Sequence, residues 1–414
     1  MRSTTRPLAG LTAGVIAGAG VVAGVLAGLV WASPPASALR AVGGSGSAGP
    51  PAMSAGGAGS GSGTRAAGAG GRRVTIAVFG DSVAEAYTVP DFLSRGLVPQ
   101  LETAFVADGF ERGGVGLIPV TPFRWQFNHY VPVSLGPAPA DGWLLIGYGL
   151  AGTDGPSGYS GLASTPAATA TTPISDPLVG VLYTKSTASG PFTVTAGGQT
   201  WTIDAHSTGP PTPTETWLVM PAGARSITVH GPTSGTLLFD GVVGRRPVGA
   251  GRVQVEVDNL GHMAHLLGRD FSSRVAAALT EQRYDVSVFL GAYLSELLAA
   301  SQPGDFRENQ YVTGLREHAG LVRAYGGRCL IVDPTALPIP PVIAARYASI
   351  DRRAAKEDGC AYSDAISGLW SSSTSVARGL TLADDIHPTA AGYRLIVRAL
   401  EPELVALVRG VVRG

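Results

Sequence analysis

Three residues near opposite ends of the chain have the side chains needed to activate a serine. Ser82 closes the tripeptide Gly80-Asp81-Ser82, and His387 stands near the C-terminus with Asp384 three residues before it. A serine hydroxyl is a weak nucleophile at its own pKa and needs a base within hydrogen-bond reach. An aspartate that holds one imidazole nitrogen leaves the other free to accept the serine proton. These residues predict Ser82 as nucleophile, His387 as base and Asp384 as orienter.

The surrounding segments predict where these side chains lie. The apolar, β-branched run at 74–79 is typical of a strand buried on both faces of a parallel sheet. A helix from about Ala84 would then place Ser82 at the carboxyl end of that strand, where ligands bind and free N–H groups meet an oxyanion. Pro388 fits the first turn of an amphipathic helix that includes residues 395–407, so His387 is expected on the loop before it, with Asp385 pointing elsewhere. Helix capping explains each motif taken alone, but their combination favours catalysis.

Two motifs resemble those of a known enzyme family. Phe79-Gly80-Asp81-Ser82 is similar to the first motif of the SGNH/GDSL hydrolases, and Asp384-Asp385-Ile386-His387-Pro388 is similar to the last. The resemblance covers about residues 74–117 and 253–410. It implies a flavodoxin-like three-layer α/β/α fold and an acyl-serine intermediate. It also implies an oxyanion hole made by the serine N–H, a glycine N–H and an asparagine side chain, and Ser82 matches the first donor directly.

The middle motifs match this family only in part. Leu260-Gly261 follows an alternating run at 253–259 and resembles the second motif, so Gly261 is the predicted oxyanion glycine; an ordinary strand-ending turn is the alternative. A further buried strand is predicted at 284–291, after which the family has Gly-x-Asn. Tyr293 stands at the asparagine position, and its hydroxyl would donate only from farther out. Losing one donor typically costs roughly 10²- to 10³-fold in rate. The departure leaves open a slow enzyme, an oxyanion hole completed elsewhere, or an inactive relative.

About 170 residues separate the first and second motifs, which is far more than one crossover requires. Short β-rich segments separated by glycine and proline turns predict an inserted β-sandwich here. The segments are 143–148, 192–194, 199–203, 216–220, 225–230 and 236–243. Trp143, Trp201 and Trp217 are candidate glycan contacts, although core packing is the commoner role of a strand tryptophan.

The two cysteines of the chain are predicted to meet. Helices at 310–325 and 343–357 each lead to a strand, and Cys329 and Cys360 lie at or near the starts of those strands. Neighbouring strands at one sheet edge would bring the thiols together. In an exported protein the oxidising compartment would then favour a disulfide between them. Two separate buried thiols are the alternative.

The N-terminus carries an export signature. Residues 8–32 hold no charge, they follow Arg2 and Arg6, and Ala36-Ser37-Ala38 supplies a small-x-small cleavage site. A cleaved signal is expected; an uncleaved anchor is the alternative, because the apolar stretch is long enough to span a bilayer. Residues from about 40 to 73 are nearly all Gly, Ala, Ser and Pro and predict a flexible tether.

The predicted domain order follows from these segments. It is a signal peptide or anchor at 1–38, a disordered linker at 39–73, the first part of the hydrolase domain at 74–125, the β-sandwich at 126–250 and the second part at 251–414.

Charge and composition exclude several function classes. Lys plus Arg and Asp plus Glu number 30 each, so no net field steers the chain onto nucleic acid or an anionic membrane. The chain has no Cys/His cluster at metal-ligand spacing. We therefore predict no nucleic-acid partner, no metal and no cofactor, with membrane contact only through an uncleaved N-terminal segment.

Together these features predict a secreted or envelope-associated serine esterase. Family members that act on wall polysaccharides can carry β-sandwich modules, so the resemblance implies O-acetyl or other short acyl esters on cell-wall glycans. An acyltransferase with the same triad is one alternative, because only water exclusion separates transfer from hydrolysis. A non-catalytic glycan-binding relative is the other.

Overall fold

A computed structural model gives the structure of residues 71–86, 89, 92–120, 143–147, 159–261, 283–290, 306–333, 341–369 and 372–414. These residues belong to one unit of the chain, Gly70–Gly414. The predicted signal segment, nearly all of the linker, and Tyr293 lie outside the described residues.

Six parallel strands form the sheet that carries the site. They are β1 (Arg72–Gly80), β2 (Glu111–Arg112), β13 (Val253–Gly261), β14 (Val286–Leu290), β15 (Arg328–Val332) and β16 (Ala361–Ser363), in the order β16-β15-β14-β1-β13-β2. Apart from the two-residue edge strand β2, this is the flavodoxin-like order 2-1-3-4-5. The predicted α/β fold class is confirmed.

Helices cover both faces of this sheet. The described helices are α1 (Ser82–Glu85), α2 (Phe92–Arg95), α3 (Leu97–Ala107), α4 (Phe306–Ala324), α5 (Pro341–Asp358), α6 (Ser372–Ser375) and α7 (Ala390–Arg413). Helices α3 and α7 share a core with Val74, Ile76 and Val78 of β1, whereas α4 and α5 pack with Ala77 and Phe79 on the opposite face. Both faces of β1 are therefore buried, which is why its sequence is apolar without alternation.

The inserted segment folds into two antiparallel sheets. The strands are β3 (Gly116–Pro119), β4 (Trp143–Gly147), β5 (Tyr159–Ala163), β6 (Thr169–Pro173), β7 (Leu178–Lys185), β8 (Pro191–Ala196), β9 (Gln199–Asp204), β10 (Thr212–Val219), β11 (Ser226–His230) and β12 (Leu237–Arg245). The first sheet has the order β10-β7-β12-β5-β4 with β3 also paired to β12, and the second has the order β6-β11-β8-β9.

One apolar core joins the two sheets, with Trp143, Tyr183, Phe192 and Phe239 among its buried residues. The insert therefore has the predicted all-β, sandwich-like architecture. Strand β3 precedes residue 126, where we expected the module to begin, so the first sheet of the insert also recruits a strand from before that boundary.

Buried carboxylates on β13 attach the insert to the parallel sheet. Both oxygens of Glu256 accept from the Nε atom of Arg245 in β12, at 2.8 and 3.0 Å, and Arg73 of β1 lies 3.1 Å from the same carboxylate. Asp258, two residues on, accepts from the N–H of Leu117 in β3 at 2.8 Å. Alternate residues of β13 thus point toward the insert, which fixes the insert against the strand.

Two further predictions concern the C-terminal half. A disulfide joins Cys329 in β15 to Cys360, which stands just before β16, as predicted. The placement of Pro388 was wrong: Thr389 is the N-cap of α7 and accepts from the N–H groups of Ala391 and Gly392, so Pro388 lies one residue before the cap.

In the part of the chain that the structure describes, we find no helix with the length and apolar character to cross a membrane.

Candidate active site

Ser82 is the first residue of α1, directly beyond the end of β1. Asp81 is the N-cap, and its carboxylate accepts from the Val83 N–H at 3.0 Å. Gly80 is required by close packing, because a Cβ on it would lie 2.7 Å from the Cβ of Ala84. Helix capping and the placement of a nucleophile are thus both present at this turn, and they use different side chains.

His387 connects Ser82 to Asp384 in one hydrogen-bonded chain. Its Nε2 atom lies 2.9 Å from Ser82 Oγ, and its Nδ1 atom lies 2.6 Å from Asp384 Oδ2. The other carboxylate oxygen of Asp384 accepts from the N–H groups of Ile386 and His387, at 2.9 and 3.1 Å. The loop before α7 therefore folds back on Asp384 and fixes the imidazole between an acceptor and the serine.

Asp385 points away from the imidazole, as expected. It adopts a left-handed backbone conformation with φ of 58°, and its carboxylate accepts from the hydroxyls of Ser375 and Thr381. Asp384 is therefore the aspartate that bonds the His387 ring.

The electrostatics keep Asp384 ionised. Partial burial alone would raise its pKa, but the hydrogen bonds from the His387 ring and from the Ile386 and His387 N–H groups outweigh burial and hold the pKa below its ordinary value of 3.8. Ser82 and His387 are only 6% and 7% exposed. Their mutual hydrogen bond therefore lies in surroundings that contain little water, where it is stronger than at the surface.

Sequence reasoning missed two polar side chains that hold α1. Tyr393 of α7 is fully buried, and its hydroxyl donates to the Val83 carbonyl at 2.8 Å. Asn259 of β13 is 4% exposed and donates from Nδ2 to the Glu85 carbonyl at 3.4 Å. A buried tyrosine or asparagine usually has a hydrogen-bond partner. A polar residue on an otherwise apolar face was therefore the sequence feature that could have indicated these contacts.

Gly261 is the last residue of β13 and pairs with Gly80 of β1. A Cβ at Gly261 would lie 2.2 Å from the Glu85 nitrogen, so only glycine lets α1 pack this closely. The N–H of Gly261 donates to Asn259 Oδ1 at 2.9 Å, and an oxyanion would have to displace that acceptor. The role of Gly261 in an oxyanion hole remains a prediction, as does that of Tyr293, which lies outside the described residues.

The three candidate tryptophans differ in exposure. Trp143 is fully buried, with its ring centroid 5.8 Å from that of Phe239, so the prediction of a glycan contact is wrong for this residue. Trp201 is half-buried and packs against the core of the insert. Trp217 is 38% exposed, and the Arg245 guanidinium lies 4.5 Å from its ring centroid.

Among the described residues, no group of three or more His, Cys, Asp or Glu side chains is arranged to hold a metal ion.

Comparisons with known proteins give structural matches only. No protein-family profile matches the chain, and no curated protein matches it. The structure is similar to a Bacillus subtilis protein, YxiM, at 14% identity over 65% of this chain and 90% of that one, with a TM-score of 0.32.

Two carbohydrate esterases are also similar. Axe2, an acetylxylan esterase from Geobacillus stearothermophilus, matches at 16% identity over 37% of this chain and 73% of its own, with a TM-score of 0.30. A family two carbohydrate esterase from Cellvibrio japonicus matches at 11% identity over 64% of this chain and 95% of its own, with a TM-score of 0.29. These values describe a distant likeness and do not specify a substrate.

The chain's own features agree with its sequence motifs. The five main strands have the order 2-1-3-4-5, Ser82 follows the first of them, and His387 lies on the loop that leads into the last helix. The chain has a flavodoxin-like parallel α/β fold, interrupted by an all-β insert.

Proposed function

We propose that this protein is an exported serine esterase that cleaves short acyl esters, such as O-acetyl groups, from cell-wall glycans. The observation that carries the proposal is the chain of contacts from Ser82 Oγ through His387 Nε2 and Nδ1 to Asp384 Oδ2, at 2.9 and 2.6 Å. Nucleophile, base and orienter stand within hydrogen-bond reach of each other, which is the arrangement that acyl transfer to serine requires.

The reaction has two halves. His387 Nε2 takes the Ser82 hydroxyl proton while Oγ attacks the ester carbonyl carbon, and the tetrahedral oxyanion collapses as His387 returns the proton to the leaving alcohol oxygen. Water then gives its proton to His387 and attacks the acyl-serine. Collapse of the second oxyanion, with return of that proton to Ser82, releases the carboxylic acid. Asp384 stabilises the imidazolium in both halves, and its lowered pKa keeps it ionised for that role.

The oxyanion would form beside the N-terminus of α1. The Ser82 N–H is the proposed first donor, because the first N–H groups of a helix lack intrahelical acceptors. Gly261 is proposed as the second donor, in exchange for its bond to Asn259. Tyr293 is the remaining candidate for the third.

Glycan recognition is assigned to the insert. Trp217 lies on β10, an edge strand of the sandwich, and presents a partly exposed indole. The flat apolar face of an indole can stack on a sugar ring, while its N–H, here bonded to Glu215 at 3.1 Å, stays satisfied. Trp201 is a second candidate, limited by its contact with the core.

Export rests on the N-terminal segment and the disulfide. The uncharged run at 8–32 and the Ala36-Ser37-Ala38 site are proposed to direct export and cleavage, and the linker at 39–73 would tether the protein if the segment is retained. Disulfides persist in oxidising compartments, which agrees with the bond between Cys329 and Cys360.

Hydrolysis of p-nitrophenyl acetate by the wild type and by Ser82→Ala tests the proposal. We expect the variant to lose at least about 10³-fold in kcat/KM, because removing a triad member leaves only binding and oxyanion stabilisation. Equal rates for the two proteins, both folded by circular dichroism, would rule out an esterase that uses Ser82 and would favour a glycan-binding protein.

An acyltransferase remains the second candidate because Ser82 and His387 are only 6% and 7% exposed. Transfer to a sugar hydroxyl needs water to be kept from the acyl-serine. Adding a deacetylated glycan oligosaccharide to the same assay distinguishes the reactions. Mass spectrometry would detect the acylated oligosaccharide if transfer dominates and free carboxylic acid if hydrolysis dominates.

A further inference from the structure

Asn259 is a buried polar residue on an apolar face. The preceding residues on that face of β13, Val255 and Val257, belong to the core shared with α3 and α7. Asn259 continues the alternation but carries an amide that is 4% exposed. Burial of an amide is unfavourable unless its groups are hydrogen-bonded. A valine would pack here without that requirement, so the contacts of the amide should explain its presence.

Those contacts connect two elements of the site. Asn259 Oδ1 accepts from the N–H of Gly261, at the end of β13, at 2.9 Å. Asn259 Nδ2 donates to the carbonyl of Glu85, the last residue of α1, at 3.4 Å. One side chain therefore joins the end of β13 to the helix that begins with Ser82.

Helix α1 cannot set its own position. It has four residues, and a single turn is too short to be stable without external contacts. Its backbone touches Gly261 so closely that a Cβ there would lie 2.2 Å from the Glu85 nitrogen. Tyr393 holds the helix from the side of α7, through Val83. Asn259 holds it from the side of the sheet, at the opposite end from the Asp81 cap.

We propose that Asn259 is a positioning residue for the reaction assigned to Ser82: it fixes α1 against the end of β13 and so keeps Ser82 Oγ directed at His387. The inference rests on the proposed function. Asn259 acts through its bond to the Glu85 carbonyl, which persists when the Gly261 N–H exchanges its acceptor for an oxyanion. Its loss should therefore lower kcat and leave KM for a small ester unchanged.

Gln254 provides a matched control on the same strand. It is also buried, at 3% exposed, and its amide donates to the Pro247 carbonyl at 2.7 Å, at the end of β13 far from Ser82. Asn259→Ala and Gln254→Ala each remove one buried amide. Kinetics with p-nitrophenyl acetate and thermal unfolding are measured for both in the full chain.

We expect both alanine variants to unfold at lower temperature. Only Asn259→Ala should lose kcat, by up to roughly 100-fold, because small misplacements of reacting groups have effects of that size. An equal kcat for Asn259→Ala and Gln254→Ala, measured per active site at a temperature where both are folded, would overturn the proposal.

A second pair of variants covers the case in which Asn259→Ala does not fold. Asn259→Asp has the same shape and still accepts from Gly261, but its ionised carboxylate faces the Glu85 carbonyl without a proton to donate. The ratio of its kcat to that of the wild type should fall as pH rises and the new carboxyl ionises. Gln254→Glu introduces a carboxyl beside the Pro247 carbonyl and should show no such trend. A constant ratio for Asn259→Asp, over a pH range in which difference infrared spectroscopy shows the new carboxyl ionising, would also overturn the proposal.

The assays separate this inference from the proposed function. If Ser82→Ala is as active as the wild type, the function assigned to Ser82 is wrong. If Ser82→Ala is inactive while the Asn259 variants retain the wild-type kcat, the function stands and the positioning role of Asn259 is wrong.

Discussion

His387 Nε2 lies 2.9 Å from Ser82 Oγ although 305 residues separate the two in the sequence. The sheet order explains the meeting. Strand β1 lies between β14 and β13, at the point where the strand order reverses, and α7 packs over β1 from the face that also holds α3. The all-β insert leaves from and returns to the parallel sheet within this separation, so its length does not change the geometry of the site.

The contact between His387 and Asp384 predicts the effect of Asp384→Asn. An amide at this position cannot stabilise the imidazolium and favours the wrong tautomer, so kcat should fall by roughly 10³- to 10⁴-fold. Asp385→Asn is the control, because Asp385 contacts Ser375 and Thr381 instead. Steady-state hydrolysis of p-nitrophenyl acetate measures both, and similar losses in the two variants would contradict the assignment of Asp384.

The sequence was sufficient for the elements that carry the site. The apolar run at 74–79 lies within β1, and the predicted helices at 310–325 and 343–357 correspond to α4 (Phe306–Ala324) and α5 (Pro341–Asp358). The local sequence of these segments shows a periodicity or a continuous apolar run, and that pattern is enough to predict a helix or a buried strand. The meeting of Ser82 with His387 was predictable because parallel strands place their carboxyl ends at one edge.

Several strands of the insert were not predictable from sequence. Strand β7 (Leu178–Lys185) contains Gly180, and glycine inside a strand weakens it, so the segment lacks a clear strand signal. In the structure, a Cβ on Gly180 would lie 2.7 Å from Val243 of the neighbouring strand, so glycine here permits close packing. The role of Asn259 was equally inaccessible, because it depends on α1 and β13, which are distant in sequence and adjacent in space.

Glu102 predicts a decline of stability with pH. Burial raises its pKa from an ordinary 4.5 to about 8, although Arg112 lies 2.5 Å away and opposes the shift. Between pH 4.5 and about 8, Glu102 is mostly protonated in the folded protein and mostly ionised in the unfolded chain. The contribution of Glu102 is therefore fully stabilising below pH 4.5 and is lost as pH rises through about 8, with a slope of up to ~1.4 kcal/mol per pH unit.

Replacing Glu102 by glutamine should remove this contribution, so the free energy of unfolding should depend less steeply on pH between about 5 and 8. Urea unfolding at several pH values measures the slope. Glu111→Gln, which alters a carboxylate whose side chain is 41% exposed, is the control for the substitution itself. An unchanged slope in Glu102→Gln would show that Glu102 does not carry the proton.

Loss of the disulfide should reduce stability without abolishing activity. The bond between Cys329 and Cys360 spans 31 residues, and closing a loop of that size stabilises by ~3–4 kcal/mol in the chain-entropy description. Strands β15 and β16 lie two and three positions from β1 in the sheet. The double variant Cys329→Ser/Cys360→Ser should therefore unfold at lower temperature but retain kcat at 25 °C.

Reductant provides the control for this prediction. Dithiothreitol should lower the unfolding temperature of the wild type toward that of the double variant and have no effect on the variant. A denaturing gel confirms that the bond has been reduced. If the reduced wild type then unfolds at the same temperature as the oxidised protein, the bond does not stabilise the fold.

The exposed ring of Trp217 predicts a separation between polymer and small-molecule substrates. Its exposed surface is available to a sugar ring, whereas the Arg245 guanidinium lies 4.5 Å from the ring centroid. Trp217→Ala should therefore lower kcat/KM for an O-acetylated glycan by roughly 3- to 10-fold, the range expected for one aromatic stacking contact. It should leave kcat/KM for p-nitrophenyl acetate unchanged, because that ester carries no sugar ring to stack on the indole. Trp201→Ala is the matched variant. This ring packs against the core of the insert, so its loss should lower the unfolding temperature and have a smaller effect on glycan turnover than Trp217→Ala.

Equal losses on both substrates in Trp217→Ala would indicate damage to the parallel sheet, transmitted through Arg245 and Glu256. That result would remove the case for glycan binding at Trp217.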